Sequence, residues 1–321
     1  MKILITGSSG FIGFSLSKFL LDKGLLVEGI DNMNSYYNLK LKKKRLSILK
    51  TFKNFKFNKI DISNKVQLYS FLKKKKIDLI INLAAQPGVR YSMIDPHSYF
   101  QNNIMGFANI LEIVKEKKIP LIYSSSSSVY GNSRKFPIKE NHELNPRNIY
   151  ALTKKTNEEM AQHYCNNFNI KALGLRFFTV FGEWGRPDML IIKFLISSIK
   201  GKTFEVYNHG NHYRDFTYIN DLCEMIFPLI TNYKKINNKN IIFNVCTGKS
   251  LHLKYIINRL KLFTDYKKVV FKKYNSLEVL KTHGSNNKIL KYTRKNIKFT
   301  NIDDSLKYTY DWFVKNRNIF K

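Results

Sequence analysis

Acidic residues, cysteines and long apolar runs are all scarce in this chain of 321 residues. Asp and Glu number 23 against 55 Lys and Arg, which gives a formal net charge of +32. The three cysteines lack the spacing of a metal site, so we expect reduced, buried thiols in a cytoplasmic protein and no bound metal. No apolar run approaches the roughly 18 residues of a membrane helix, and Met1 runs directly into a strand-like segment. We therefore expect neither a signal peptide nor membrane insertion.

The excess of positive charge raises the question of nucleic-acid binding. The lysines are dispersed among Asn and Ile, as in residues 234–242 and 286–298, which is typical of a biased composition. The densest basic runs, residues 42–45 and 73–76, are interpreted as solvated faces of surface helices. We therefore expect no nucleic-acid partner, although the charge can help to attract an anionic substrate.

The first 31 residues have the pattern of a dinucleotide site. The apolar run 2–6 predicts a buried strand, and the segment Gly7-Ser8-Ser9-Gly10-Phe11-Ile12-Gly13 follows it and opens a helix. Glycines there allow a tight turn and let a pyrophosphate approach the helix N-terminus. Asp31 ends a second strand-like run, where its carboxylate can hold ribose hydroxyls and repel a 2′-phosphate. This pattern predicts NAD rather than NADP.

A tyrosine and a lysine with helical spacing follow in the middle of the chain. Tyr150 and Lys154 are four residues apart in a predicted helix, with Asn145 as its cap and Pro146 in its first turn. An ammonium beside a phenol lowers the pKa of the phenol, and a tyrosine so tuned can take a proton from a sugar hydroxyl. The spacing alone is weak evidence, since an exposed helix pair produces it more often.

Strand-like and helical stretches alternate over the first 180 residues. Strands are predicted at 2–6, 25–30, 55–60, 79–83, 121–124 and 172–177, and helices at 14–23, 65–75, 103–117 and 146–166. This alternation predicts an α/β fold with a parallel, doubly wound sheet of the Rossmann type. The run 121–131 contains five consecutive serines before Val-Tyr-Gly, which predicts a strand that ends in a hydroxyl-lined turn at the ligand-binding edge. Helices at 190–200, 220–230 and 303–313 and a strand at 267–274 are predicted beyond it.

Together these motifs resemble the extended short-chain dehydrogenase/reductase family, and within it the UDP-glucuronate 4-epimerases, over essentially the whole chain. The resemblance is carried by residues 31–37, 84–92, 150–154, 185–189 and 214–219 and by the serine turn. It implies an NAD-binding domain at 1–180 and a smaller, interleaved substrate lobe at 181–321. It also implies a tightly held NAD and epimerisation of a UDP-hexuronic acid at C4 through a transient 4-keto intermediate, for polysaccharide biosynthesis.

The resemblance further implies a homodimer in which the helices 103–117 and 146–166 pair across a two-fold axis. Both helices carry apolar residues on more than one face, among them Ile110, Leu111, Val114, Met160 and Ala161.

Individual roles also follow from the resemblance. Tyr150 is the base, Lys154 holds the phenolate and the nicotinamide ribose, and Ser126 bonds the sugar 4-oxygen. The implied cofactor contacts are Gly7, Gly10, Phe11, Ile12, Gly13, Asp31, Asn32, Asp61, Ile62, Leu83, Ala84, Ala85, Tyr150 and Lys154. The implied substrate contacts are Arg90, Ser127, Ser128, Thr179, Arg186 and Arg214. Structural or surface roles for Asp61, Arg90, Thr179, Arg186 and Arg214 are the alternatives left open.

The substrate carboxylate decides between related activities. A 4-keto hexuronate is a β-keto acid that loses CO2 easily, so an epimerase must pin the carboxylate, and the resemblance gives this task to Thr179 and Arg186. Related decarboxylases and dehydratases carry acidic residues where this chain has Ser127 and Ser128, which favours an epimerase. The family's late Pro-Gly-Asp segment is replaced by residues 274–279, so the sequence does not predict how tightly UDP is bound. A 4-epimerase of a neutral or N-acetylated UDP-sugar and a non-catalytic nucleotide-binding scaffold remain as alternatives.

Overall fold

The computed structural model describes residues 1–236, 239–273 and 279–320. Its central sheet consists of β1 Lys2–Thr6, β2 Leu26–Asp31, β3 Phe55–Lys59, β4 Leu79–Asn82, β5 Leu121–Ser126, β6 Ala172–Phe177 and β10 Asn240–Val245. These strands are parallel and lie in the order β10-β6-β5-β4-β1-β2-β3. The order reverses between β4 and β2 on either side of β1, and such a reversal creates a crevice at the carboxyl ends of the strands.

Helices cover both faces of this sheet. The helices are α1 Phe11–Asp22, α2 Leu39–Leu49, α3 Lys65–Leu72, α4 Pro96–Tyr99, α5 Gly106–Lys117, α6 Ile149–Phe168, α7 Leu190–Lys200, α8 Ile219–Thr231, α9 Leu253–Thr264, α10 Asn287–Thr293 and α11 Ile302–Lys315. Alternate residues of β1 point to opposite faces, because Ile3 and Ile5 belong to one buried apolar cluster and Leu4 to another. A strand buried on both faces explains why the sequence shows a continuous apolar run rather than alternation.

Two smaller sheets lie beyond β6. One consists of β7 Thr179–Phe181, β9 Tyr213–Tyr218 and β11 Ser250–His252, and the other pairs β8 Phe204–Val206 with β12 Val269–Phe271. Between β9 and β11 the chain returns to the central sheet, where β10 pairs with β6. The division of the chain at residue 180 stays a prediction.

The α/β doubly wound architecture and its parallel sheet are confirmed. The prediction that α6 begins at residue 146 with Asn145 as its cap is wrong. Asn148 has extended backbone angles and its Oδ1 accepts the N–H of Ala151 at 2.9 Å, so the helix begins at Ile149. The predicted strand at 267–274 is reduced to β12, and residues 274–278 lie outside the described part of the chain.

The described residues contain no helix long and apolar enough to cross a membrane. They also contain no group of three or more His, Cys, Asp or Glu side chains that could hold a metal ion. Cys165, Cys223 and Cys246 are buried, unpaired thiols, as expected.

Candidate active site

A cleft lies at the carboxyl ends of the central strands and encloses about 1340 Å³ of empty space, part of it open to solvent. Its lining contains every predicted cofactor contact and all three predicted catalytic residues: Gly7, Gly10, Phe11, Ile12, Gly13, Asp31, Asn32, Asp61, Ile62, Leu83, Ala84, Ala85, Ser126, Tyr150 and Lys154.

The glycine turn between β1 and α1 forms one end of the cleft. Gly7 has a φ of +70°, and a Cβ there would lie 2.9 Å from Cα of Ala84. A Cβ on Gly13 would lie 2.1 Å from the carbonyl oxygen of Gly7, so the turn closes only with glycines at both places. Gly10 provides no side-chain cap, which leaves first-turn N–H groups of α1 for an anion. The turn therefore fits the pyrophosphate of a dinucleotide.

Two carboxylates define the neighbouring wall of the cleft. Asp31 accepts the N–H of Ser9 at 3.1 Å and the N–H of Met33 at 2.7 Å. Asp61 accepts the amide of Asn32 at 3.0 Å and both the N–H and the hydroxyl of Ser63. Burial raises the pKa of Asp61, but these hydrogen bonds outweigh it and leave the pKa below its ordinary value. Fixed carboxylates suit the hydroxyl and amino groups of adenosine, so the residues present fit NAD.

The interpretation of residues 42–45 as a solvated face is wrong for two basic residues near Asp31, Lys42 and Arg45, because both are buried. Lys42 is 6% exposed, and its Nζ donates to Asn34 Oδ1 at 2.8 Å and lies 3.7 Å from Asp31 Oδ1. Arg45 is fully buried. Arg45 follows the buried Leu41 by four residues, so both lie on the inner face of α2, and this spacing could have revealed it.

Tyr150 and Lys154 both line the cleft from α6. Lys154 is 2% exposed, and its Nζ donates to the carbonyl oxygen of Ser124 at 2.9 Å and to the Ser124 hydroxyl at 3.1 Å. Burial lowers the pKa of Lys154 to about 8, although the nearby Glu158 carboxylate opposes this.

The expectation that Lys154 lowers the pKa of Tyr150 is wrong for the protein by itself. Burial raises the pKa of Tyr150, while the positive charge of Arg186 and a hydrogen bond with Ser126 oppose that rise. The Lys154 ammonium is instead engaged by Ser124. The charge that favours the phenolate comes from Arg186, which lies on a different part of the chain.

A buried ion pair between Arg176 and Glu158 fixes the serine turn, residues 124–128 at the end of β5. Arg176 of β6 donates to Glu158 of α6 through Nε at 2.8 Å and Nη2 at 2.6 Å, and the Ser125 hydroxyl donates to the same carboxylate. Ser126 Oγ accepts the N–H of Ser128 at 3.2 Å and donates to its hydroxyl at 3.0 Å. The strand end that carries Ser126 is thereby fixed against the helix that carries Tyr150.

Arg186 lines the cleft on the segment between β7 and α7. Its Nε donates to Asp188 Oδ1 at 2.9 Å and its Nη2 to Asp188 Oδ2 at 2.6 Å, and the Tyr36 hydroxyl donates to the same carboxylate at 3.3 Å. Burial lowers the pKa of Arg186, but the pairing with Asp188 outweighs it and raises the pKa. Arg186 is therefore a fixed cation close to Tyr150.

The other predicted substrate contacts are not brought to the cleft lining in the described part of the chain: Arg90, Ser127, Ser128, Thr179 and Arg214. The Arg90 guanidinium lies 4.5 Å from the ring centre of Tyr207. Arg214 donates to the carbonyl oxygens of Tyr213 at 2.9 Å and Leu280 at 3.3 Å. Their substrate roles stay predictions. Cleft-lining residues that sequence reasoning missed include Tyr36, Tyr37, Lys42 and Met189.

The profile of the NAD dependent epimerase/dehydratase family matches residues 3–246. The chain belongs to this family. An uncharacterized protein of Methanocaldococcus jannaschii is 44% identical over 322 residues, which cover 99% of this chain and 97% of that protein. A probable UDP-glucuronate 4-epimerase of Rhizobium meliloti is 41% identical over 231 residues, 71% of this chain and 68% of that protein.

Among solved structures, the UDP-glucuronic acid 4-epimerase of Bacillus cereus in complex with UDP-glucuronic acid and NAD has a TM-score of 0.91. It is 31% identical, and the match covers 98% of this chain and 100% of that one. The epimerase/dehydratase family uses NAD, so the expected enzyme class, Rossmann fold and cofactor are confirmed.

Proposed function

We propose that this epimerase/dehydratase family member interconverts UDP-glucuronate and UDP-galacturonate by epimerisation at C4. The observation that carries the proposal is the presence of the Arg186 guanidinium in the same cleft as Tyr150 and Ser126. A planar guanidinium suits a carboxylate, while a phenol and a hydroxyl suit the sugar 4-oxygen. The likeness to the Rhizobium and Bacillus proteins supports the same substrate class.

The chain's own residues move one proton in each direction. Tyr150, with Ser126 beside it, takes the proton of the sugar 4-hydroxyl and returns it after the 4-keto sugar has turned in the cleft. The positive charge of Arg186 favours the anionic phenolate of Tyr150, while the buried Lys154 ammonium donates to Ser124 at the serine turn. When bound in this cleft, NAD would supply the hydride acceptor and donor for C4, so the reaction would have no net redox change.

Arg186 has a second task, which is to protect the 4-keto intermediate. Loss of CO2 is fastest when the bond from C5 to the carboxylate stands perpendicular to the ketone plane. A guanidinium that grips the carboxylate can keep this bond near the plane, and the Asp188 pairing fixes the guanidinium before the substrate arrives.

A 4-epimerase of a neutral or N-acetylated UDP-sugar is the second candidate. The same pairing favours it, because Asp188 already neutralises the charge of Arg186. The two candidates are separated by kcat/KM for UDP-glucuronate, UDP-glucose and UDP-N-acetylglucosamine in the wild type and in Arg186→Met.

We expect a preference for UDP-glucuronate on the order of 10²-fold, about 2.7 kcal/mol of binding to a charge-assisted pair, and its loss in Arg186→Met. The neutral substrates should lose less in that variant, because they lose only the contribution of the Arg186 charge to the Tyr150 phenolate. A wild type that prefers a neutral sugar would contradict the proposal.

We also infer a homodimer that contributes to polysaccharide biosynthesis in the cytoplasm. The helix residues predicted to form the contact do not support it, because Ile110, Leu111, Val114 and Ala161 are buried in the core of the single chain. Large apolar side chains elsewhere around α6 are exposed instead: Met93, Ile94, Phe100, Met105 and Leu152. Leu152 lies on α6. The others lie in or next to two short helical segments, Tyr91–Met93 and Phe100–Met105, which pack against α6. We therefore propose that the subunit contact is formed by these exposed residues.

A further inference from the structure

Arg45 connects two walls of the cleft that are far apart in sequence. Its Nη1 donates to the carbonyl oxygen of Ser9 at 3.0 Å and to the Tyr37 hydroxyl at 2.6 Å. Its Nη2 donates to the carbonyl oxygens of Trp184 and of Gly185, the latter at 3.5 Å. One guanidinium therefore binds the glycine turn and the segment that carries Arg186.

The burial of Arg45 is costly. Within the described residues it forms no ion pair with a carboxylate, and its Nε has no hydrogen-bond partner. Burial lowers the pKa of Arg45, Tyr37 and the Asp31 carboxylate oppose this change, and the positive charge of Arg186 adds a smaller lowering effect. A buried cation with only neutral acceptors is poor evidence for a stabilising role, so a geometric role explains it better.

The segment that Arg45 contacts, residues 182–189, contains a strained backbone conformation. Trp184 has a φ of +61°, a left-handed conformation that is strained for a residue with a Cβ. Its ring packs edge-on against Phe14 of α1 at 5.3 Å and lies 5.0 Å from Trp312 of α11. The bond from Arg45 to the Trp184 carbonyl fixes the backbone two residues before Arg186.

At its other end, Arg45 is adjacent to the cofactor wall. Ser9, whose carbonyl accepts from Arg45, donates its own N–H to the Asp31 carboxylate. A ligand that orders the glycine turn thus acts on the same backbone that orients Arg45.

We propose that Arg45 is a positioning residue that orients Arg186 and links the cofactor-binding glycine turn to the carboxylate-binding segment 182–189. The part that concerns the sugar carboxylate rests on the proposed function. The link between the two segments does not.

The first test measures product partition with UDP-glucuronate. When Arg186 is misplaced, the C5–carboxylate bond of the 4-keto intermediate breaks, CO2 leaves, and the electron pair forms an enolate that takes a proton to give a UDP-pentose ketone. Arg45→Lys keeps the charge and removes the fork, so we expect a ratio of pentose to epimer at least tenfold above wild type. This ratio does not depend on how much enzyme is folded.

Two comparisons sharpen that test. Lys43→Met changes an exposed residue on the same helix and should behave as wild type. The double variant Arg45→Lys with Arg186→His should match Arg186→His alone, because a positioning residue has no effect once its target is gone. Additive effects, or wild-type partition in Arg45→Lys, would overturn the orientation of Arg186 by Arg45.

The second test does not depend on the sugar. Amide hydrogen exchange is measured in the NAD-loaded enzyme, and residues 182–189 should exchange at least tenfold faster in Arg45→Lys than in wild type, with α9 unchanged. Tyr37→Phe should give a smaller change of the same sign if Arg45→Lys does not fold. Unchanged exchange would overturn the link. If the wild type is inactive on UDP-glucuronate but residues 182–189 still exchange faster in the variant, only the proposed substrate is refuted and the link between the two segments stands.

Discussion

Arg186 and Asp188 form a two-point pair, with Nε to Oδ1 at 2.9 Å and Nη2 to Oδ2 at 2.6 Å. The pair fixes the plane of the guanidinium before any ligand is bound, and the Tyr36 hydroxyl supports it from the side. A cation oriented in advance loses little freedom when it binds a carboxylate. Its charge is also partly neutralised, so Asp188 sets both the direction and the strength of the hold on a hexuronate.

Asp188→Asn separates these two effects. An uncompensated guanidinium attracts the sugar carboxylate more strongly, so we expect KM for UDP-glucuronate to fall about threefold to tenfold, roughly 1 kcal/mol. The guanidinium is also less fixed, so kcat should fall. Steady-state kinetics with UDP-glucose provide the control, since its KM should not change. Equal shifts for both sugars would argue against an electrostatic role.

Tyr150→Phe should fold, retain NAD and lose activity by about 10²-fold or more, which is what acid–base catalysis contributes. The ring keeps its contact with Tyr99, so packing should be preserved. The measurement is turnover normalised to NAD released on denaturation. Turnover close to that of the wild type would remove Tyr150 from the base role.

Lys154 gives a pH-dependent prediction for the protein stripped of cofactor. Its pKa is about 8 when folded and about 10.4 in an unfolded chain. The unfolded state therefore binds more protons between those values, so this residue's burial penalty is full below pH 8 and disappears as the pH rises toward 10.4.

Lys154→Met should accordingly abolish most activity yet raise the free energy of unfolding at pH 7 by about 1–3 kcal/mol. The gain over wild type should shrink between pH 8 and pH 10. Chemical denaturation across this range measures it, and Lys155→Met, a neighbour on the same helix that is not fully buried, should show no such trend. A gain that does not depend on pH would contradict the assigned pKa.

The exposed apolar residues around α6 predict the oligomeric state. Light scattering at micromolar concentration should give twice the chain mass of 37.8 kDa. Met105→Glu should shift the population toward monomer, whereas Leu262→Glu on α9, which is 72% exposed, should not. A wild type that is monomeric at this concentration rules the dimer out.

The sequence predicted the features that depend on neighbouring residues. Continuous apolar runs located the central strands because a doubly covered sheet buries both faces of each strand. The glycine turn, Asp31 and the pair Tyr150 and Lys154 line one cleft because parallel strands end at a common edge.

Features that depend on distant contacts were missed. Arg45 belongs to a basic run, and its hydrogen bond to Trp184, 139 residues away, cannot be seen in the local sequence. The engagement of Lys154 by Ser124 and the resulting absence of a lowered pKa for Tyr150 depend on how β5 ends beside α6. Apolar periodicity in α5 and α6 could not distinguish a core face from a subunit contact, and the structure places Ile110 and Leu111 in the core of the single chain.

The central claim is C4 epimerisation of a UDP-hexuronic acid by a cofactor that returns the same hydrogen. Its most direct test is to incubate the purified enzyme with UDP-glucuronate in D2O without added NAD and to follow the product by NMR. We predict UDP-galacturonate that carries protium, not deuterium, at C4, because the hydrogen never exchanges with solvent. Deuterium at C4, or no UDP-galacturonate from an enzyme that converts a neutral UDP-sugar, would contradict the account.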